Sequence, residues 1–122
     1  MKQLLIVFLG GGAGSVVRYL ISKLYSQNPV FPYGTLTSNF ISCIIFGAVI
    51  MWGAQKLHLN PLLKLLLLTG FCGGFSTFSS FTFETIELFK NGNTGLAMLN
   101  VLLNLSLSIS GLFIGMMTFK LL

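Results

Sequence analysis

"GFCGGFSTFSSFTFE", residues 70–84, places three glycines, five phenylalanines and five serine or threonine side chains inside the third of four apolar stretches. Glycine weakens a helix, and hydroxyl side chains weaken it too, because they form hydrogen bonds with backbone groups that the helix would otherwise use. We therefore expect a transmembrane helix that breaks at Gly73 and Gly74. Inside a bilayer, irregular backbone is tolerated only where protein or a water-filled cavity surrounds it. The segment thus predicts a broken helix beside a polar path.

The composition indicates a membrane protein, since 54% of the 122 residues are hydrophobic and 7% are charged. The net charge of +5 comes from single basic residues near the ends of the apolar stretches. Such scattering suits a membrane interface, and we expect no nucleic-acid partner. Glu84 and Glu87 are the only acids, so little acid–base chemistry is available. We expect no enzyme. Cys43 and Cys72 fit small buried side chains better than a metal site or a disulfide.

Hydropathy predicts an all-α membrane protein with four spans, each close to the roughly 20 residues that a bilayer requires, over about 3–24, 34–56, 62–89 and 95–119. We expect one domain over residues 1–122, inserted as a multi-pass protein in the cell membrane (plasma or inner). Asn60 and Pro61 are suited to cap and begin the third helix, and "KNGNTG" (90–95) to end it and begin the fourth. His58 is expected to be exposed in the loop before Asn60.

The basic residues are divided almost evenly between the two membrane faces. Four spans place both termini on one side, with Lys2, Lys56, Lys64 and Lys120 there and Arg18, Lys23 and Lys90 opposite. Four against three is too small a bias to fix the orientation. Two copies inserted oppositely would form an antiparallel homodimer, with the inverted symmetry that many transporters build from internal repeats.

Polar residues form one stripe on each of two spans. The spacings are i, i+4, i+7 and i, i+4, i+8, for Thr35, Asn39 and Ser42 on the second span and Asn100, Asn104 and Ser108 on the fourth. Each stripe is either a set of hydrogen bonds between helices or the wall of a polar track. On the first span, Gly10 and Gly14 favour close helix packing, and Arg18 either extends to the interface or attracts anions at a vestibule.

Phe78 and Phe81, at i and i+3, share a helix face beside Ser79 and Ser80. Such a face either packs against lipid and core or turns its positive ring edges toward an anion. Carbonyl oxygens freed by the helix break would suit Na⁺. Ring edges with hydroxyl and amide donors, and almost no carboxylates, fit a site for a small, strongly hydrated anion.

The segment "GFCGGFSTFSSF" resembles the signature "GFCGG-x-TTFSTF" of the CrcB or Fluc family of fluoride channels. The resemblance covers the whole chain, because "GGGAGSVVRYL" (10–20), "PYGTLTSNFIS" (32–42) and "LNVLLNLS" (99–106) are similar to the family's other span motifs.

The resemblance implies a role for each matched residue. Phe78 and Phe81 would contact fluoride in the pore, together with Asn39, the pore-side hydroxyls of Ser79 and Ser80, and Asn104 and Ser108 along a polar track. Glu84 would lie near the entry vestibule, and Arg18 would be the motif arginine. The carbonyls of Gly73 and Ser76 would hold a structural Na⁺ that is not transported. Ser76 and Ser80 replace threonine; a carbonyl ligand is insensitive to the first change, whereas the second removes a methyl group from the pore wall.

The function expected from the resemblance is passive, fluoride-selective export through two pores in an antiparallel dimer, which would relieve fluoride toxicity. A small dual-topology drug/proton antiporter is the alternative. Such an antiporter needs a carboxylate in the membrane to exchange protons for cations, normally in the first span, where this chain has none. A purely structural membrane protein would leave the aligned polar stripes without a purpose.

Overall fold

The computed structural model describes residues 1–26, 30–55 and 60–120, and nearly all of these residues are helical. The elements are α1 (Lys2–Leu24), α2 (Tyr33–Gln55), α3 (Pro61–Lys64), a π-helix (Leu65–Cys72), α4 (Gly73–Phe75), α5 (Phe78–Lys90) and α6 (Thr94–Lys120). Four helical segments in the described part of the chain are long and apolar enough to cross a membrane: Lys2–Leu24, Tyr33–Ala54, Pro61–Lys90 and Thr94–Thr118. The prediction of an all-α protein with four membrane helices is confirmed. Lys56 and His58 lie outside the described residues.

The two ends of the third span follow the predicted capping. The side-chain oxygen of Asn60 accepts a hydrogen bond of 2.9 Å from the backbone N–H of Leu62, and Pro61 occupies the first turn. At the other end α5 stops at Lys90, and Gly92 adopts a φ of +76°. That left-handed conformation costs glycine little, and it ends the helix before α6 begins.

The break in the third span lies at Ser76 and Thr77, so its predicted position at Gly73 and Gly74 is wrong. Gly73 is helical, with φ −64° and ψ −34°. Ser76 has ψ 157°, and Thr77 is extended with φ −152° and ψ 120°. The Thr77 hydroxyl oxygen accepts a 3.2 Å hydrogen bond from the N–H of Ser80, which makes Thr77 the N-cap of α5. The break therefore coincides with a capping hydroxyl, and the two glycines before it remain helical.

The helices pack in two pairs, with α1 along the π-helix and α4, and α2 along α6. The predicted close packing of Gly10 is confirmed, since a Cβ there would lie 2.5 Å from the carbonyl oxygen of Leu66. A Cβ on Gly74 would collide with the carbonyl of Gly11. The α5 helix packs on α6 and also contacts α2, so the break lies among three helices.

Candidate functional site

The side-chain amide of Asn39, on α2, holds the non-helical backbone at the break. Its oxygen accepts a 2.8 Å hydrogen bond from the N–H of Thr77, and its nitrogen lies 3.4 Å from the carbonyl oxygen of Thr77, to which it donates. One amide thus satisfies the backbone of the residue at which the helix is interrupted.

The same interruption diverts the α-helical donors of two carbonyls. In a continuous helix the N–H of Thr77 would donate to Gly73, and the N–H of Ser80 to Ser76. Here these groups donate to the side chains of Asn39 and Thr77 instead. The two carbonyls that lose these partners, those of Gly73 and Ser76, are the pair predicted to hold Na⁺.

A groove of about 190 Å³ opens beside the break. Its lining consists of one amide, hydroxyls, a thiol and an aromatic ring, from Asn39, Cys43, Ser76, Thr77, Phe78 and Ser108. Phe78 is 76% exposed, whereas Phe81 is 9% exposed. Their ring centroids are 5.6 Å apart with a tilt of 53°. The structure therefore brings Asn39, Phe78 and Ser108 to one groove, while Phe81 is buried next to Phe78 and does not line the groove.

Asn104, which was predicted to line the polar track, is buried behind Asn39. Its side-chain oxygen accepts a 3.0 Å hydrogen bond from the Asn39 amide, and its nitrogen donates to the side-chain oxygen of Asn100 at 2.8 Å. Asn100 in turn donates to the hydroxyl of Thr85 at 2.9 Å. Asn104 and Asn100 are 4% and 0% exposed. In this part of the fourth span, the polar stripe joins helices.

A second pocket, of about 240 Å³, is lined in part by Ser80, the hydrogen-bond partner of Thr77. Its lining includes both charged residues predicted for the vestibule, in the set Ser15, Arg18, Tyr19, Ser22, Thr35, Ser80 and Glu84. The Thr35 hydroxyl donates to the carboxylate of Glu84 at 2.7 Å. The second carboxylate oxygen of Glu84 is buried and has no hydrogen-bond partner within the described ranges.

Thr77 connects the two pockets. Its hydroxyl donates to the hydroxyl of Ser80 at 3.2 Å and lies 3.1 Å from that of Ser79, which is exposed. The sequence interpretation did not select Thr77 as a site residue. The available signal was a threonine three residues before Ser80, directly before the helical run that starts at Phe78, which is typical of an N-cap. Nothing in the sequence pointed to the hydrogen bond between Asn100 and Thr85.

The second, third and fourth of four apolar helices are joined by a connected line of amides and hydroxyls, and two pockets with polar lining residues lie next to the helix break. Polar groups within membrane-spanning helices are energetically costly and mark ion or substrate pathways. The fold and the site together define a small multi-span membrane protein of the channel or transporter class.

Comparison with known proteins identifies the family. A family model described as CrcB-like protein, Camphor Resistance (CrcB), matches residues 5–116. Proteins of Salmonella arizonae and Salmonella paratyphi B, each called fluoride-specific ion channel FluC, are 43% identical to the chain over 106 residues, which is 86% of this chain and 84% of each relative. The chain belongs to the CrcB family, and the resemblance found in the sequence is confirmed.

Proposed function

We propose that the chain is a fluoride-selective channel through which fluoride leaves the cytoplasm passively, down its electrochemical gradient. The observation that carries this proposal is the 43% identity, over 86% of the chain, to relatives called fluoride-specific ion channel FluC. The chain is a membrane protein and not an enzyme, and its transported ion is fluoride.

The chemistry of the groove supports passage of a small anion. Its described lining offers the amide of Asn39 and the hydroxyl of Ser108, and none of its six lining residues is acidic. The exposed ring of Phe78 can turn a positive edge toward the ion, with Phe81 beside it. Fluoride is small and strongly hydrated, so it needs close donors to replace its water. A narrow path lined by such donors favours fluoride over the larger chloride.

The second pocket is proposed as the entry vestibule. Arg18 would attract anions there, and the hydroxyls of Ser79 and Ser80 would lead them past Thr77 toward the groove. Glu84 is held by Thr35, and we propose that it shapes the mouth of this pocket without binding the ion. Asn104 acts behind the groove by holding Asn39.

The working unit is proposed to be an antiparallel homodimer with two pores, each copy being one four-helix domain. Beyond the even charge distribution, the surface around the break supports a second copy, since Phe78, Gly73 and Ser79 are all exposed in the single chain.

Labelling from outside intact cells tests this topology. The background is Cys43→Ala/Cys72→Ala, and the target is Asn93→Cys in the exposed connection before α6. A membrane-impermeant maleimide is expected to label a fraction near half. Labelling of all copies, or of none, contradicts the dual orientation.

A structural Na⁺ is proposed at the centre of this dimer, held by the carbonyls of Gly73 and Ser76 from both copies. The support is that the α-helical donors of both carbonyls are diverted to side chains. Unwound carbonyls suit such a cation. When bound, Na⁺ would neutralise these dipoles and place one positive charge between the two anion paths.

Efflux from liposomes tests the proposed function. Vesicles that contain the purified protein are loaded in turn with fluoride, chloride or a lipophilic cation. The proposal expects rapid loss of fluoride only. Loss of the cation coupled to a proton gradient would indicate the antiporter, and no loss of any ion would indicate a structural protein.

A further inference from the structure

The hydrogen bonds behind the groove form one chain with a single direction. The Asn39 amide donates to Asn104, Asn104 donates to Asn100, and Asn100 donates to Thr85. This series of hydrogen bonds ends at the Thr85 hydroxyl, which donates to the carbonyl of Phe81 at 2.7 Å. Each of the three side-chain amides accepts a hydrogen bond with its oxygen and donates one with its nitrogen.

The two ends fix this direction. At one end the N–H of Thr77, which can only donate, donates to the oxygen of Asn39. At the other end the carbonyl of Phe81 can only accept, so the single hydrogen of the Thr85 hydroxyl points to it. The Thr85 oxygen is then left to accept from Asn100. A flip of any amide would set two acceptors or two donors against each other, and in a buried network that arrangement is costly.

We propose that Thr85 and Asn100 are positioning residues for fluoride transport, which they affect by fixing the amide direction of Asn39. The inference rests on the proposed fluoride channel. Asn39 lines the groove, and an anion is attracted by its N–H group and repelled by its oxygen. The nitrogen of Asn39 uses one hydrogen for Asn104, and the other makes the longer contact of 3.4 Å to the carbonyl of Thr77. Because its present contact is the weaker one, that second hydrogen is the one available to an ion in the groove while the amide keeps its direction.

The chain supplies a matched control on the same helix. The hydroxyl of Thr82 donates to the carbonyl of Phe78, four residues earlier, at 2.9 Å, just as Thr85 donates to Phe81. Thr82 is exposed and Thr85 is buried and bonded to Asn100. Valine at either position removes the hydrogen bond from the hydroxyl to the carbonyl four residues earlier. Only Thr85→Val also removes the acceptor of the Asn100 amide.

The test is initial fluoride efflux from liposomes, per assembled protein, for wild type, Thr85→Val, Thr85→Ser and Thr82→Val. Loss of one hydrogen bond in the network is expected to slow Thr85→Val roughly tenfold. Thr85→Ser keeps the hydroxyl and is expected to restore most of the flux, and Thr82→Val is expected to match wild type. Size-exclusion profiles establish that each variant is assembled. If Thr85→Val does not assemble, Thr85→Ala and Thr82→Ala, which only remove atoms, replace the valine pair.

The two possible failures are distinguishable. Wild-type protein that transports no fluoride would overturn the proposed function itself. Wild-type protein that transports fluoride, with Thr85→Val as fast as Thr82→Val, would overturn only the positioning role. Equal slowing of Thr85→Val and Thr85→Ser would also overturn it, because the serine retains the hydroxyl.

Discussion

Asn39→Asp changes the groove by one negative charge with almost no change in volume. The carboxylate can still accept the hydrogen bond from the N–H of Thr77. It would, however, place an oxygen against the side-chain oxygen of Asn104, where a 3.0 Å hydrogen bond exists now. Two like charges about 4 Å apart repel by about 1 kcal/mol in water and about 4 kcal/mol at an effective dielectric constant near 20. Since each 1.4 kcal/mol is tenfold, the upper value corresponds to a fluoride flux about a thousandfold lower.

The assay is fluoride efflux from liposomes, with the fluoride concentration followed by an electrode. Asn93→Asp is the matched control, because it introduces the same charge at an exposed position before α6, where aspartate caps a helix as well as asparagine does. We expect Asn93→Asp to transport fluoride at the wild-type rate. Equal efflux from Asn39→Asp and Asn93→Asp, with both proteins assembled, would remove Asn39 from the ion path.

Three further predictions follow from the break and its surroundings. Phe78→Ile and Phe81→Ile are expected to reduce fluoride efflux sharply while the protein still assembles, because both remove aromatic ring edges; wild-type efflux from both would argue against aromatic contacts to the ion. Gly74→Ala is expected to lower the thermal unfolding midpoint, by an overpacking cost of about 1–3 kcal/mol, because its Cβ would collide with the carbonyl of Gly11. Gly12→Ala is the tolerated control, because a Cβ on this exposed glycine of α1 has no neighbour within 4 Å, and equal midpoints would contradict this packing. Efflux is expected to fall when Na⁺ is replaced throughout by K⁺ or a large organic cation, and full activity after exhaustive Na⁺ removal would contradict the sodium site.

Much of the fold is determined by local chemistry, and these features were predictable. Four apolar stretches gave four helices, and Asn60 with Pro61 began the third as their capping preferences require. The stripes also face their partners, since Asn39 and Ser42 hydrogen-bond to the third span. Helical spacing alone was enough to place those side chains on one face.

The break illustrates what the sequence could not decide. Glycines and hydroxyls stand next to each other, and both kinds of residue weaken a helix. The outcome depended on tertiary contacts, because Gly74 must pack against Gly11 in a helical backbone while Asn39 is available to satisfy the N–H of Thr77. The burial of Asn104 has the same origin, since its spacing was compatible with either a pore wall or a contact between helices.

The most direct measurement is the reversal potential of currents through the purified protein in a planar bilayer, with a tenfold fluoride gradient opposed by a tenfold chloride gradient. A passive fluoride channel predicts sustained currents that reverse close to the fluoride equilibrium potential, about 59 mV in magnitude for a tenfold gradient of a monovalent ion. Reversal near zero, or at the chloride equilibrium potential, would contradict fluoride selectivity. The absence of current alongside liposome fluoride transport would contradict conduction through an open pore.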